Sequence, residues 1–133
     1  MHFWLPNNRF DAFLFPVIAL FSSANSEDMT DRMERISKML EDAPADPFLR
    51  FARAKEWEKK EDWISALAEY DWLVRQAPEY TGTYYHYGHL LIRQNRTDQA
   101  KEIFEQGMRI SQEQNDRHTY GELRSLYEEY ILD

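Results

Sequence analysis

The chain of 133 residues contains no cysteine. Disulfides, thiolate metal sites and cysteine nucleophiles are excluded together, while the redox compartment stays open. Positive charge is scarce as well. Sixteen Lys and Arg stand against 24 Asp and Glu, and the formal net charge of −8 opposes non-specific binding to nucleic-acid phosphates or anionic lipid. The four glycines build no phosphate-cradling loop. No nucleophile has a positioned base and no pair of acids has a recognisable acid/base arrangement, so nothing points to an enzyme or to a cofactor. Long apolar runs are missing too. The longest, Phe10 to Phe21, is interrupted by Asp11 and Pro16; it falls short of the roughly 20 residues that span a bilayer, and the proline would kink it. What remains is enough for one globular domain, with 43% hydrophobic and 15% aromatic residues to build a core.

The chain divides near Glu27. Residues 1–26 carry only Arg9 and Asp11 as full charges, whereas the rest is charge-rich and patterned as helix. Three readings of the apolar leader, residues 1–28, compete. It is an over-extended start, with translation beginning at Met29 ahead of a cap formed by Asp31 and Glu34. Alternatively it is a signal peptide with a cleavage-like Ser22-Ser23-Ala24 triplet, or an anchoring or docking tail. The first places a domain of residues 29–133 in the cytoplasm; the second, cleaving near residue 24, exports it.

Downstream, a period of thirty-four residues governs the sequence: Pro44 recurs as Pro78, Ala54 as Gly88, Ala66 as Ala100 and Tyr70 as Phe104. Such a period signals stacked helical hairpins. Six helices are expected: Thr30 to Glu41, Pro47 to Lys60, Trp63 to Ala77, Thr81 to Gln94, Thr97 to about Gln114, and a last one following Asn115-Asp116. Met33, Ile36, Met39 and Leu40 share a face of the first. Proline opens the second at the favoured position, and Asn95 suits a left-handed turn. Tyr120, Leu123, Leu126, Tyr127, Tyr130 and Ile131 form a one-sided stripe that covers the last hairpin.

These residues resemble the tetratricopeptide repeat. The second hairpin carries that family's pattern in Tyr84, Tyr87, Gly88, Leu91, Ala100, Phe104 and Gly107, and the first in Ala54, Trp57, Ala66, Tyr70 and Pro78. The resemblance covers about Thr30 to Ile131, as a half repeat, two full repeats and a capping helix. It implies an all-α, right-handed superhelix of antiparallel hairpins in which Ala54, Gly88, Ala66 and Ala100 let helices approach. Two departures stand out. Arg50 and Arg53 occupy positions usually held by large apolar residues, which implies weaker inner packing or use of their aliphatic stems. Gln112 replaces a closing proline, so that helix is free to run longer.

By the same resemblance the first helix of each hairpin lines a concave, partner-binding groove. The rule selects Phe48, Phe51, Lys55 and Lys59 on one helix and Tyr85, His86, His89, Ile92 and Arg93 on the next. Charge agrees with it. Residues 47–61 hold five basic and three acidic groups and residues 81–96 two basic and none acidic, plus 2 each. Residues 26–42, 62–79 and 97–116 each net minus 3, from three against six, one against four and two against five. The expected partner is therefore an acidic, partly aromatic peptide or protein segment. The competing reading has these cations paired along their own helix, Lys55 with Glu58 and Glu56 with Lys60. His86 and His89 lack a carboxylate to complete a metal set. Trp72, off the core stripe, is expected on the convex side, either as an edge contact within the fold or as the anchor of a self-associating homo-oligomer.

Overall fold

The computed structural model describes residues 31–132; the leader, with its competing readings, lies outside them. All regular structure in the described residues is helical. Helix α1 runs over 31–42, followed by α2 (Pro47–Lys59), α3 (Trp63–Gln76), α4 (Gly82–Arg93), α5 (Thr97–Glu113) and α6 (Arg117–Tyr130). The helices alternate in direction and form an all-α solenoid of two hairpins, α2–α3 and α4–α5, preceded by a single helix and closed by another.

Each boundary follows from local chemistry. Asp46 caps α2 by accepting from the amides of Phe48 (2.9 Å) and Leu49 (3.2 Å), with Pro47 in the first turn where no amide is needed. Asp62 caps α3 through the Ser65 amide (3.1 Å), and Asp116 caps α6 through the Thr119 amide (3.1 Å). The three tight turns share one device: Glu61, Asn95 and Asn115 stand at φ 58°, 60° and 60°. Asparagine tolerates that left-handed conformation and glutamate does so less readily; of the three, Asn95 alone is expected there from the sequence. Asp31 sits within α1 and pairs with Arg35. Helix α5 extends to Glu113, the added length expected where proline gives way to Gln112.

The core lies between the two hairpins. Tyr70, Leu73, Tyr84, Leu90, Leu91, Phe104 and Leu123 are fully buried, and the rings of Tyr70 and Tyr87 stack 5.8 Å apart across α3 and α4. Burial drives the phenol pKa of Tyr70 well up, with the Glu58 carboxylate adding to it, and pushes Tyr84 and Tyr87 up to about 12. Small residues set the helix spacing in the second hairpin. A Cβ on Gly88 would stand 2.2 Å from the Phe104 ring, and one on Gly107 2.5 Å from Tyr84 Cβ. Ala54, Ala66 and Ala100 are wholly buried at the corresponding seams.

Two packing expectations need correction, and for Trp72 the first of its two alternatives holds. Met39 leaves the α1 stripe and is 49% exposed, because only Met33, Ile36 and Leu40 fall on the face turned inward. Arg50 and Arg53 do not merely lend their stems. Both reach the buried Glu69 on α3, Arg50 at 2.9 Å and Arg53 at 2.6 and 3.3 Å, so a charged cluster occupies what the repeat pattern fills with hydrocarbon. Arg50 also lies 4.0 Å over the Trp72 ring. Trp72 is thus half-buried beneath a guanidinium, an edge contact within the fold.

Two turns at one end of the stack are tied together. Thr81 Oγ1 bonds Asp116 Oδ2 (3.3 Å) and the Gln114 amide donates to the Glu79 carbonyl (3.0 Å). The turn entering α4 is thereby joined to the turn entering α6.

Candidate partner groove

The alternation of helices leaves α2, α4 and α6 in one row, with α3 and α5 on the other side. Across that row, side chains spaced by three or four residues face each other. Phe51 on α2 meets the edge of His86 on α4 at 5.2 Å and packs on Tyr70 and Tyr80 at 6.1 and 5.8 Å. On α4, Tyr85 stacks on His89 at 6.2 Å and touches His86 edge-on at 5.2 Å, and His89 meets Tyr130 of α6 at 6.3 Å. An aromatic band therefore crosses all three helices. Tyr130 completes it, a residue that the core stripe of α6 had claimed; it is 37% exposed.

The cations cluster on this band. Lys55 Nζ lies 3.2 Å from His86 Nδ1 and 3.5 Å from Glu58 Oε2, and Arg93 Nη1 lies 3.6 Å from Glu58 Oε1 with its guanidinium 5.1 Å over the Trp63 ring. Glu58 also accepts from the Tyr70 hydroxyl. One carboxylate thus positions two cations from two helices. Sequence spacing shows its pairing with Lys55, three residues away; its bonds to Tyr70 and Arg93 depend on the helices being stacked.

Burial lowers the His86 pKa, and the adjacent Lys55 ammonium lowers it further; Glu58 opposes them, and His89 adds to the lowering. The ring is neutral at pH 7. An ammonium only donates, so Nδ1 accepts and the proton resides on Nε2, which has no bonding partner among the described residues.

The remaining groove candidates lie apart from this cluster. Lys59 bonds Glu56 Oε2 at 3.1 Å, a buried carboxylate that also takes Arg32 of α1 at 3.4 Å; Glu56 pairs with Lys59 in place of Lys60. Phe48 projects from the first turn of α2 with 65% of its surface exposed, and Ile92 is half-buried against the core. Among the described residues no three His, Asp or Glu are grouped to hold a metal ion. No helix among them is long and apolar enough to cross a membrane.

Hairpins stacked at a fixed period, with a row of first helices exposing polar and aromatic side chains, define a helical-repeat scaffold. No protein-family model and no curated protein sequence matches the chain. Solved structures do. The crystal structure of a tetratricopeptide repeat domain protein from Salinibacter ruber is 37% identical over 66% of this chain and 99% of its own length, with a TM-score of 0.62. A solution NMR structure of a tetratricopeptide repeat domain protein from the same organism is 37% identical over 68% of this chain and 92% of its own, with a TM-score of 0.64. The chain belongs to the tetratricopeptide repeat family.

Proposed function

We propose that the protein is a non-enzymatic interaction scaffold whose α2–α4–α6 groove holds an acidic, aromatic-containing segment of a partner protein. The observation that carries this reading is the convergence of Lys55, His86 and Arg93, none of them part of the buried core, beside the Phe51–Tyr85–His89–Tyr130 band. Glu58 neutralises one of the two formal cations and fixes both in place. The cluster keeps one net positive charge, spare guanidinium donors on Arg93 and the free Nε2 proton of His86. A partner carboxylate meets prearranged donors, and its aromatic neighbour has rings to stack on. Because each cation is already paired and partly hydrated, binding is modest and falls with salt.

Titration with an acidic, tyrosine-containing peptide and its scrambled form at low and high salt tests the reading. Affinity that depends on both peptide order and salt, and that drops in Lys55→Glu and Arg93→Glu, supports it. Indifference to sequence and salt overturns it.

A further inference from the structure

The opposite face of the stack carries a second feature that the groove does not explain. Between α3 and α5 run two adjoining hollows of about 250 and 490 Å³ that share Val74 and Gln106 as common walls. Their floor is apolar: Val74 and Ile110 are buried, Ile103 is half-buried against the core, and Tyr87 closes the bottom with its hydroxyl 3.4 Å from Asp71. The rim is mostly acidic. Its two arginines are taken by neighbours on their own helices, Arg75 by Asp71 (2.8 Å) and Arg109 by Glu113 (3.0 Å). Glu79 and Glu102 are exposed at the rim, and neither carboxylate has an ion pair or side-chain hydrogen bond among the described residues. The charged side chains lining the two hollows, Asp71, Glu79, Glu102 and Glu113 against Arg75 and Arg109, net minus 2.

We propose that this trough is a second docking surface, for a basic amphipathic helix of a partner protein. The shape and the charge each contribute. An elongated hollow with an aliphatic floor accepts the apolar stripe of a helix, and carboxylates flanking it receive Lys or Arg at the stripe's edges. The whole chain's charge of −8 favours this sign of partner and disfavours a second copy of the same chain. Groove and trough then select segments of opposite charge, and the protein bridges an acidic partner to a basic one.

A helix-forming peptide of leucine and lysine is the probe, titrated by fluorescence anisotropy against the full chain at low and high salt, with a leucine–glutamate peptide beside it. The expected result is saturable one-to-one binding of the leucine–lysine peptide alone. The double variant Glu79→Lys/Glu102→Lys should weaken it by at least about tenfold, while Lys55→Glu in the groove leaves it unchanged. Circular dichroism verifies that these surface variants stay folded. Equal binding of both peptides, or no saturable binding, overturns the proposal. Loss of the same size in Glu34→Lys/Glu129→Lys, far from the trough, reduces the effect to general charge attraction and overturns it too. A wild-type dimer in sedimentation that Glu102→Lys dissolves would assign the trough to a second copy, against the proposal.

Discussion

The two hairpins share a period and differ in what fills their seams. In α4–α5, glycine at 88 and 107 brings the helices together until Phe104 and Tyr84 occupy the space a Cβ would need. In α2–α3 Ala54 takes the place of Gly88, and Arg50 and Arg53 clasp Glu69, 6% exposed, between the two helices. One seam is steric and the other electrostatic. The backbone repeats because helix spacing is fixed by small residues at a few points, Ala54 and Ala66 in the first hairpin, Gly88 and Ala100 in the second; the chemistry elsewhere is free to change.

Substitutions should separate the two seams. The largest effect is expected from Gly107→Ala, whose new methyl meets Cβ and Cγ at the root of the Tyr84 side chain, which cannot swing away. A loss of about 3 kcal/mol in urea unfolding is expected, net of the gain in helix propensity. Gly88→Ala should cost less, about 1–2 kcal/mol, because the obstructing atoms belong to the outer edge of the Phe104 ring. Equal losses at the two glycines would refute this ranking. In the first hairpin, Glu69→Ala should cost about 2 kcal/mol, below the full penalty of an uncompensated buried charge because Arg50 and Arg53 are 21% and 25% exposed and regain water. Replacing Arg50, Arg53 and Glu69 together by Met, Leu and Leu should be near neutral. If the triple variant unfolds as readily as Glu69→Ala, the electrostatic seam has no apolar equivalent here.

A pH experiment sharpens the contrast at smaller amplitude. Tyr84 and Tyr87 are raised from 10.0 to about 12 by burial. Folding therefore favours their neutral forms, and the stability they contribute is complete below pH 10 and lost as pH rises toward about 12. Tyr87→Phe should flatten that decline by up to about 1.4 kcal/mol per pH unit, read from urea midpoints. The smallest effect concerns the groove. Lys55→Met should move the His86 imidazole titration upward, toward 6.5, in proton NMR, since the ammonium is one of the groups holding it down. An unmoved titration would show that Lys55 does not sit against that ring.

Much of the solenoid was legible beforehand because its determinants are local. Prolines, turn asparagines and the alanine or glycine positions act within one turn or at a fixed period, and they located the described helices to within a residue or two. What escaped was non-local. Glu69 takes partners 16 and 19 residues away, and the Arg50–Trp72 contact exists only once α2 and α3 are packed. Glu61 in a left-handed turn has no sequence signal, because glutamate rarely adopts that conformation. In the groove, four-residue steps grouped Phe51, Lys55 and Lys59 on one helix and Tyr85, His89 and Arg93 on the next. The convergence of Arg93 and Tyr70 on Glu58 required the second hairpin to be in position, and Tyr130 was masked by its place in an apolar stripe.

The joint at Asp116 has a mechanical side. Its carboxylate holds the first turn of α6 and the residue entering α4, and those bonds hold its pKa below the ordinary value. Under tension from the carboxyl end, α6 is pinned to the elbow before α4, with Gln114 on Glu79 as a second rivet. Such a chain of rods yields by releasing the last three helices as one block, and a force trace should register a single long step there where three short ones would mark independent peeling.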